Sequence, residues 1–210
     1  MNNLIIVGAG RFGRELCCWL EQILDPARMR IAGFLDDTRT PAPRLNEDYA
    51  YPLLGAIDSH AIGEHELFVL AIAEPAAKLR IAASLQARGA AFFTLIHPSA
   101  VLARTAKVGQ GVVICPFAML SADSLVGDFV TINSYSSIGH DAVIGAGTTL
   151  SSHVDITGGV RVEQGAFFGS SAVVLPQLHI GSGATVGAGA IVMRQVPAGA
   201  TVYAMPAKKL

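Results

Sequence analysis

One histidine of this sequence stands directly before a carboxylate, a pairing suited to moving a proton. The two residues are His140 and Asp141, in the stretch from Ser137 to Gly145. An imidazole with a pKa near the ordinary value of about 6.5 can remove a proton from an amine or a hydroxyl at neutral pH. A neighbouring carboxylate fixes the tautomer of the ring and raises its basicity. We therefore interpret His140 as a candidate general base oriented by Asp141. A solvated histidine on a surface turn is the alternative.

Other side chains with reactive potential lack such a neighbour. His153 and His179 are interpreted as surface or interface residues. The three histidines at 140, 153 and 179 are separated by thirteen and twenty-six residues, which is no metal-ligand pattern, and the sequence predicts no metal site. Cys115 is far from any paired base, which favours a structural role over a nucleophilic one.

A glycine-rich motif near the N-terminus could bind a phosphate. The segment Gly8-Ala9-Gly10-Arg11-Phe12-Gly13 has the GxGxxG pattern between a short apolar strand and a helical pattern. A turn in that position brings backbone N–H groups towards the phosphates of a nucleotide. Asp36 follows Gly13 by 23 residues, close to the spacing of an acid that binds a ribose hydroxyl. The domain has fewer than 100 residues and no second mononucleotide half, which disfavours hydride transfer with NAD.

Residues 1–96 alternate between strands and helices. The predicted strands are Leu4–Val7, Ile31–Leu35, Leu67–Ala73 and Phe92–Ile96. One predicted helix has Pro75 in its first turn and Gly89 just past its end. Strands that alternate with helices imply a parallel sheet, so residues 1–96 are predicted to form an α/β Rossmann-like domain.

From about residue 97 an aliphatic residue recurs at every sixth position. Sixteen successive positions follow this rule with one Phe and no insertion: Leu102, Val108, Ile114, Leu120, Val126, Ile132, Ile138, Ile144, Leu150, Ile156, Val162, Phe168, Val174, Ile180, Val186 and Val192. Each aliphatic side chain points inward, a small residue four positions later fits the corner, and Gly tolerates strained backbone. Three hexapeptides make one triangular coil. Residues 97–210 are therefore predicted to form a left-handed parallel β-helix of slightly more than five coils.

The composition indicates that other subunits cover part of the surface. Hydrophobic residues make up 51% of the chain and charged residues 15%, a low charge density for a soluble monomer. A three-sided prism offers flat faces that pack around a threefold axis, so we expect a homotrimer. The outward apolar residues behind this expectation are Val113, Phe117, Met119, Phe129, Tyr135, Phe167, Val173 and Ile191.

Several other classes of protein are disfavoured. The net charge of −1 gives no basic field for nucleic acid or an anionic membrane. The longest apolar runs are much shorter than the ~20 residues of a membrane span. No secretory signal is visible at the N-terminus, and the three cysteines form no paired motif. We therefore expect a cytoplasmic protein without a membrane span.

The hexapeptide repeat, the glycine-rich turn and the segments Val196–Gly199 and Pro206–Lys208 together carry a family resemblance. The chain resembles bacterial sugar acetyltransferases of the hexapeptide-repeat β-helix superfamily, of the sialic acid O-acetyltransferase and bacillosamine-pathway N-acetyltransferase type. The resemblance implies that the Rossmann-like domain holds a nucleotide-linked sugar. It also implies that the β-helix trimerises and binds acetyl-CoA, the acyl donor, between subunits.

The resemblance implies roles for individual residues. His140 matches the catalytic histidine of the family and Asp141 its acidic neighbour. The implied acceptor-binding residues are Gly8, Gly10, Arg11, Phe12, Asp36 and Asp37. The positions that match cofactor contacts are Gly158, Ser170 and Ala188, with a role as plain corner residues as the alternative. Thr149 occupies the place of a second family histidine, so either Thr149 or His153 is expected to contact the thioester.

The sequence leaves the acceptor and the type of product open. Phe12 stands where the bacillosamine enzyme has a histidine, and Ala73-Glu74-Pro75 replaces a Gly-Asn-Asn-like turn. Both O- and N-acylation are compatible with a histidine base that acts by direct attack. A non-catalytic trimeric scaffold or a nucleotide-binding protein is the alternative, and a scaffold would bind no CoA.

Overall fold

The computed structural model describes residues 1–37 and 49–205, so the predicted ending Pro206–Lys208 lies outside the described residues. The elements of the N-terminal domain are β1 Asn2–Val7, α1 Arg11–Ile23, β2 Met29–Leu35, β3 Leu53–Gly55, β4 Glu66–Leu70, α2 Pro75–Ala87 and β5 Ala91–Phe92. The five strands are parallel and lie in the order β3-β2-β1-β4-β5. The predicted Rossmann-like domain is confirmed.

The two helices form where the sequence predicts them. In α1, Leu16 and Leu20 lie one turn apart on a buried face that packs against Leu4 and Ile6 of the central strand. Helix α2 begins at Pro75, whose missing N–H needs no partner in the first turn. Gly89 follows the helix with a φ of +86°, in the left-handed region.

The coils begin at Leu95, because the predicted strand Phe92–Ile96 is in fact two strands. The first, β5, pairs with β4, whereas Leu95–Ile96 pairs with Val113–Ile114 of the next coil. The coil strands are β6 Leu95–Ile96, β7 Val101–Leu102, β8 Lys107–Val108, β9 Val113–Ile114, β10 Met119–Leu120, β11 Leu125–Val126, β12 Thr131–Ile132, β13 Ser137–Ile138, β14 Val143–Ile144, β15 Thr149–Leu150, β16 Asp155–Ile156, β17 Arg161–Val162, β18 Phe167–Phe168, β19 Val173–Val174, β20 His179–Ile180, β21 Thr185–Val186, β22 Ile191–Val192 and β23 Thr201–Val202.

These strands form three parallel sheets that are the sides of a left-handed β-helix, as predicted. The sheets contain six, five and seven strands. Partners along a sheet lie 18 residues apart, as Met119 and Ser137 do, except that Thr185 and Thr201 lie 16 apart. The inward aliphatic residues of the repeat form one continuous core. Burial of this apolar column stabilises the coils, at about 25 cal/mol per Å² of apolar surface.

The glycines that directly follow an inward aliphatic residue of the repeat, such as Gly139 after Ile138, have a different role from the one predicted. Gly139 is not in the left-handed region, but a Cβ there would lie 2.6 Å from the backbone nitrogen of Gly158 on the next coil. Glycine at this position therefore allows close approach between coils. At the corners from Gly111 to Gly189 the left-handed residue comes two positions later, and it is often not glycine, as at Asp141 with a φ of +58°.

The N-terminal domain covers one side of the coils, which corrects part of the argument for a trimer. The outward residues Val113 and Phe129 are 1% and 4% exposed, and the Phe129 ring packs edge-on against Phe92 at 4.8 Å. These residues are covered within the chain and need no other subunit. Phe117 and Tyr135 are both 56% exposed, and with Ile191 they belong to an uncovered surface.

Candidate active site

His140 and Asp141 lie together at the corner between β13 and β14. The Nδ1 atom of His140 lies 2.8 Å from Oδ2 of Asp141, and both side chains are largely exposed. Asp141 occupies the left-handed position of the corner, a conformation in which aspartate is enriched among residues other than glycine. Its backbone N–H donates to the carbonyl of Ala122 one coil below. The corner therefore holds the carboxylate beside the ring.

The hydrogen bond determines which ring nitrogen can accept a proton. An ionised carboxylate only accepts hydrogen bonds, so Nδ1 of His140 carries the proton that it shares with Asp141. The other nitrogen, Nε2, then has a free lone pair. This is the arrangement that a general base requires.

Gly158 lies one coil above His140 and is shaped for the imidazole. A Cβ at this position would come within 2.6 Å of His140 Nε2, so only glycine leaves room for the ring as it is placed. The neighbouring Gly159 N–H donates to the His140 carbonyl at 2.8 Å. A cleft of about 260 Å³ opens here, lined by His140, Asp141, Gly158, Gly159, Pro176 and Gln177. The geometry thus brings together His140, Asp141 and one predicted cofactor residue.

Three other predicted cofactor residues lie at a different corner of the same chain. His153, Ser170 and Ala188 fall between β15 and β16, between β18 and β19, and between β21 and β22. One side of the triangle, six residues at about 3.3 Å each, separates this corner from that of His140. Within one chain these residues do not share a site with His140.

His153 is the top member of a stack of exposed rings. Its imidazole lies 5.0 Å from the Tyr135 ring with an angle of 4° between the planes. The Phe117 ring continues the stack below Tyr135, also at 5.0 Å. All three residues occupy left-handed corner positions on successive coils, which explains their alignment.

Thr149 is buried under the N-terminal domain. It is 1% exposed, and its Oγ1 accepts a hydrogen bond of 2.8 Å from Nζ of Lys78. Its expected contact with a thioester stays a prediction. In this chain the Thr149 hydroxyl already accepts a hydrogen bond from Lys78.

The predicted acceptor residues gather at the carboxyl edge of the N-terminal sheet. A Cβ on Gly8 would lie 2.9 Å from the carbonyl oxygen of Ala71, so the turns after β1 and β4 touch here. These two strands form the point where the strand order reverses, and open α/β sheets bind ligands at such a point. Gly10 precedes α1 without a side-chain cap, whereas Glu74 caps α2 by accepting from Ala76 and Ala77. The start of α1 is therefore the more open of the two to an anion.

The remaining predicted acceptor residues have distinct positions around this edge. Asp36 Oδ2 accepts from the Ala9 N–H at 2.7 Å, which ties the end of β2 to the glycine-rich turn. Asp37 Oδ1 accepts from the Ile57 N–H at 2.7 Å. Arg11 is exposed, and the half-buried Phe12 packs against the core of α1 and the sheet.

His179 pairs with Glu163 on a different side of the coils. Its Nε2 lies 3.0 Å from the carboxylate. The Ser182 backbone N–H and the His179 side chain hold the pKa of Glu163 below its usual value. No cluster of histidine, cysteine or carboxylate side chains within residues 1–37 and 49–205 could hold a metal ion. In the same part of the chain no helix has the length and apolarity to cross a membrane.

Comparisons with known proteins match both halves of the chain. A model of the PglD N-terminal domain matches residues 3–85, and a model of the hexapeptide repeat of succinyl-transferase matches residues 159–194. UDP-N-acetylbacillosamine N-acetyltransferase of Bacillus subtilis is 33% identical over 114 residues, which are 54% of this chain and 51% of that protein. The matched segment thus spans about half the length of this curated relative.

Several solved structures match the chain over all or nearly all of its length. WeeI from Acinetobacter baumannii AYE is 30% identical, with a TM-score of 0.85 and complete coverage of both chains. The chain belongs to the sugar acetyltransferases of the hexapeptide-repeat β-helix superfamily. PerB from Caulobacter crescentus, solved in complex with CoA and GDP-perosamine, is 27% identical with a TM-score of 0.83. This match covers 99% of the chain and 97% of PerB.

Two features of the structure were not predicted from the sequence. Pro176 and Gln177 line the His140 cleft, and their 18-residue offset from Gly158 and Gly159 could have identified them. The buried Lys78 was also missed. Its partners lie 53 and 71 residues away, beyond any local pattern.

Proposed function

We propose that this chain transfers an acetyl group from acetyl-CoA to an amino group of a nucleotide-linked sugar, with His140 as the general base. The observation that carries the proposal is the His140–Asp141 pair, whose Nε2 faces an open cleft beside Gly158. The names of the relatives support the class of reaction, since one is an N-acetyltransferase and another was solved with CoA and GDP-perosamine. They favour an amino group over a hydroxyl as acceptor.

The proposed reaction is a direct attack on the thioester. The acceptor nitrogen forms a bond to the carbonyl carbon while Nε2 of His140 removes its proton. The tetrahedral intermediate then collapses, the C–S bond breaks, and CoA leaves as a thiol with the proton from His140. The Gly158 backbone N–H is our candidate donor to the oxyanion. None of the described residues forms a nucleophile–base–acid triad, which favours direct transfer over an acyl-enzyme.

We place the acceptor at the carboxyl edge of the N-terminal sheet. Gly8, Gly10 and Arg11 surround the uncapped start of α1, where backbone N–H groups and the helix dipole favour a phosphate. Asp36 and Asp37 follow β2 beside this turn and would contact the nucleoside. Phe12 is half-buried next to them and would present an apolar surface to the sugar.

The donor site in this proposal requires a homotrimer. His153, Ser170 and Ala188 lie one side of the triangle away from His140, so they join its site only across a threefold axis. The uncovered apolar residues Phe117, Met119 and Ile191 are 46–63% exposed and would be buried between subunits. Acetyl-CoA would then lie in the groove between adjacent coils.

Mass spectrometry of reaction products tests the proposal. Protein incubated with acetyl-CoA and a panel of nucleotide-linked amino sugars should yield a product heavier by one acetyl group, and the His140→Ala variant should yield about 10²- to 10⁴-fold less in the same time. A non-catalytic scaffold predicts no product and no thermal shift with CoA. That outcome would refute the enzymatic function.

A further inference from the structure

Lys78 is an ionisable residue that lies almost entirely inside the molecule. Its side chain is 1% exposed, on the face of α2 that also buries Ile81 and Leu85. A buried ammonium is costly unless its N–H groups find partners. The hydrogen bonds of Lys78 therefore show what this residue is placed to do.

Three oxygen atoms of the β-helix lie within hydrogen-bond distance of Nζ of Lys78. Nζ donates to Thr131 Oγ1 at 2.9 Å, to Thr149 Oγ1 at 2.8 Å and to the Thr148 carbonyl at 3.2 Å. Thr131 and Thr149 are register partners in β12 and β15. Lys78 thus joins a helix of the N-terminal domain to two adjacent coil strands.

The coil held by Lys78 is the one that carries His140. The chain leaves Thr131, passes through the corner with His140 and Asp141, and returns at Thr149 one coil further along. Nζ of Lys78 contacts both ends of this single coil. A shift of either strand relative to α2 would therefore move the His140 corner relative to the N-terminal domain.

The start of α2 lies at the edge where we place the acceptor. Strand β4 ends at Leu70 and α2 begins at Pro75, with the turn that meets Gly8 between them. Lys78 lies one helical turn into α2, and its backbone N–H donates to the Glu74 carbonyl. The same rigid helix thus connects the acceptor turn to the catalytic coil.

We propose that Lys78 is a positioning residue that fixes the distance between the acceptor turn and His140. This inference rests on the proposed function. Methionine has a similar length and no N–H groups, so Lys78→Met removes the three hydrogen bonds and largely keeps the volume. The contact between α2 and the coils would then depend on apolar packing such as that of Leu79 over Gly147. The distance between the bound acceptor and Nε2 of His140 would then vary more.

Steady-state kinetics of the full chain provide the first test. Lys78→Met should lower kcat/KM for the acceptor about 10-fold to 100-fold, since small misplacements are costly in rate. Its dissociation constant for acetyl-CoA should stay within about twofold of the wild type. Ile81→Val on the same helix is the matched control and should keep wild-type kinetics. A Lys78→Met enzyme with wild-type kcat and acceptor KM overturns the proposal, even if its Tm falls.

Thr131→Val is a milder change that keeps the proposal testable if Lys78→Met does not fold. It removes one of the three acceptors and should lower kcat/KM by a smaller factor. In the Lys78→Met background it should have no further effect, because the two residues act through one contact. Additive losses in the double variant would contradict a shared role.

Amide hydrogen exchange tests the link without reference to activity. Lys78→Met should speed exchange in the first turns of α2 and in β12 and β15 together, and leave β22 unchanged. Unchanged exchange in the first two regions overturns the proposal whatever the kinetics show. If the wild type acetylates no sugar but exchange responds as expected, the proposed function fails while the link between the domains stands.

Discussion

The coil between Thr131 and Thr149 has polar side chains in two places, one buried under the N-terminal domain and one exposed at a corner. On the side under the N-terminal domain, Lys78 is 1% exposed, and its Nζ lies within hydrogen-bond distance of three oxygen atoms. At the open corner, the His140 and Asp141 side chains are 71% and 66% exposed, and Nε2 faces a cleft. On the side under the N-terminal domain, the closed side, the Lys78 nitrogen is paired with oxygen atoms. At the corner of His140 and Asp141, the open corner, Nε2 of His140 is free to accept a proton.

This difference arises from outward residues alone. Both sides rest on the same inward column, in which Ile138, Ile144 and Leu150 are 0–1% exposed. The inward residues build the coil, and the outward residues decide which side is covered and which can react. Substitutions on the closed side should therefore change stability and alignment, and substitutions at the open corner should change rate. The following predictions test that division.

The largest expected effect is the loss of activity in His140→Ala. General-base catalysis is worth about 10²- to 10⁴-fold in rate, so kcat should fall by that factor. The side chain is 71% exposed and fills no core position, so Tm should change by less than about 2 °C. Acetyl-transfer assays and thermal melts check both statements.

His153→Ala and His179→Ala are the comparators for that variant. His179 pairs with Glu163 away from the cleft, and its removal should leave activity unchanged. If His153→Ala abolishes transfer and His140→Ala does not, we have assigned the wrong histidine.

The next largest effect concerns the closed side and depends on pH. Burial lowers the pKa of Lys78 to about 7, although the nearby Glu74 acts in the opposite direction. Between about pH 7 and the unfolded pKa of 10.5 the unfolded chain binds more protons, so the free energy of unfolding rises with pH across this window. The whole contribution is at most about 5 kcal/mol.

Lys78→Met should remove this rise of the free energy of unfolding with pH. Urea unfolding of both proteins at pH 7 and pH 9.5 measures it, with the exposed Lys107→Met as the control. Equal pH dependence in wild type and Lys78→Met would show that Lys78 does not titrate in this range.

The two sides also differ in how far the sequence predicts them. The His140–Asp141 pair was predictable because its members are adjacent, and the six-residue period fixes the corner on which they lie. The period likewise predicts Ile138 and its equivalents as core, since each strand contributes one inward side chain. Asp141 in the left-handed region was not predicted, because the corner conformation falls two residues after the repeat glycine.

The closed side could not be predicted from local patterns. Nothing around Lys78 distinguishes it from a solvated lysine on a helix, and its acceptors belong to a different structural unit. Val113 and Phe129 were likewise predicted to be outward and uncovered within the chain, whereas the N-terminal domain buries both of them. Contacts between the two domains depend on how their surfaces fit together. Neither the helical period of the N-terminal domain nor the six-residue period of the coils predicts that fit.

A smaller effect is expected from Gly158→Ala at the open corner. The backbone of Gly158 is outside the left-handed region, so alanine adds no backbone strain, but its Cβ would lie 2.6 Å from His140 Nε2. The imidazole must move, and kcat should fall about 10-fold to 100-fold. Steady-state assays check this, with Tm as the control for folding. A wild-type kcat would show that the observed ring position is not the reactive one.

The smallest effect we predict is that of Asp141→Asn, because this change keeps the imidazole and alters only the group that orients it. Asparagine tolerates the left-handed backbone of this corner, so folding should be unaffected. Its neutral side chain supports the cationic imidazole less well, and kcat should fall about tenfold, less than in His140→Ala. Asp123→Asn is the matched control, since Asp123 occupies the equivalent left-handed position one coil below and should leave kcat unchanged. Equal losses in both variants would mean that the corner responds to lost charge in general, and the specific role of Asp141 would have to be abandoned.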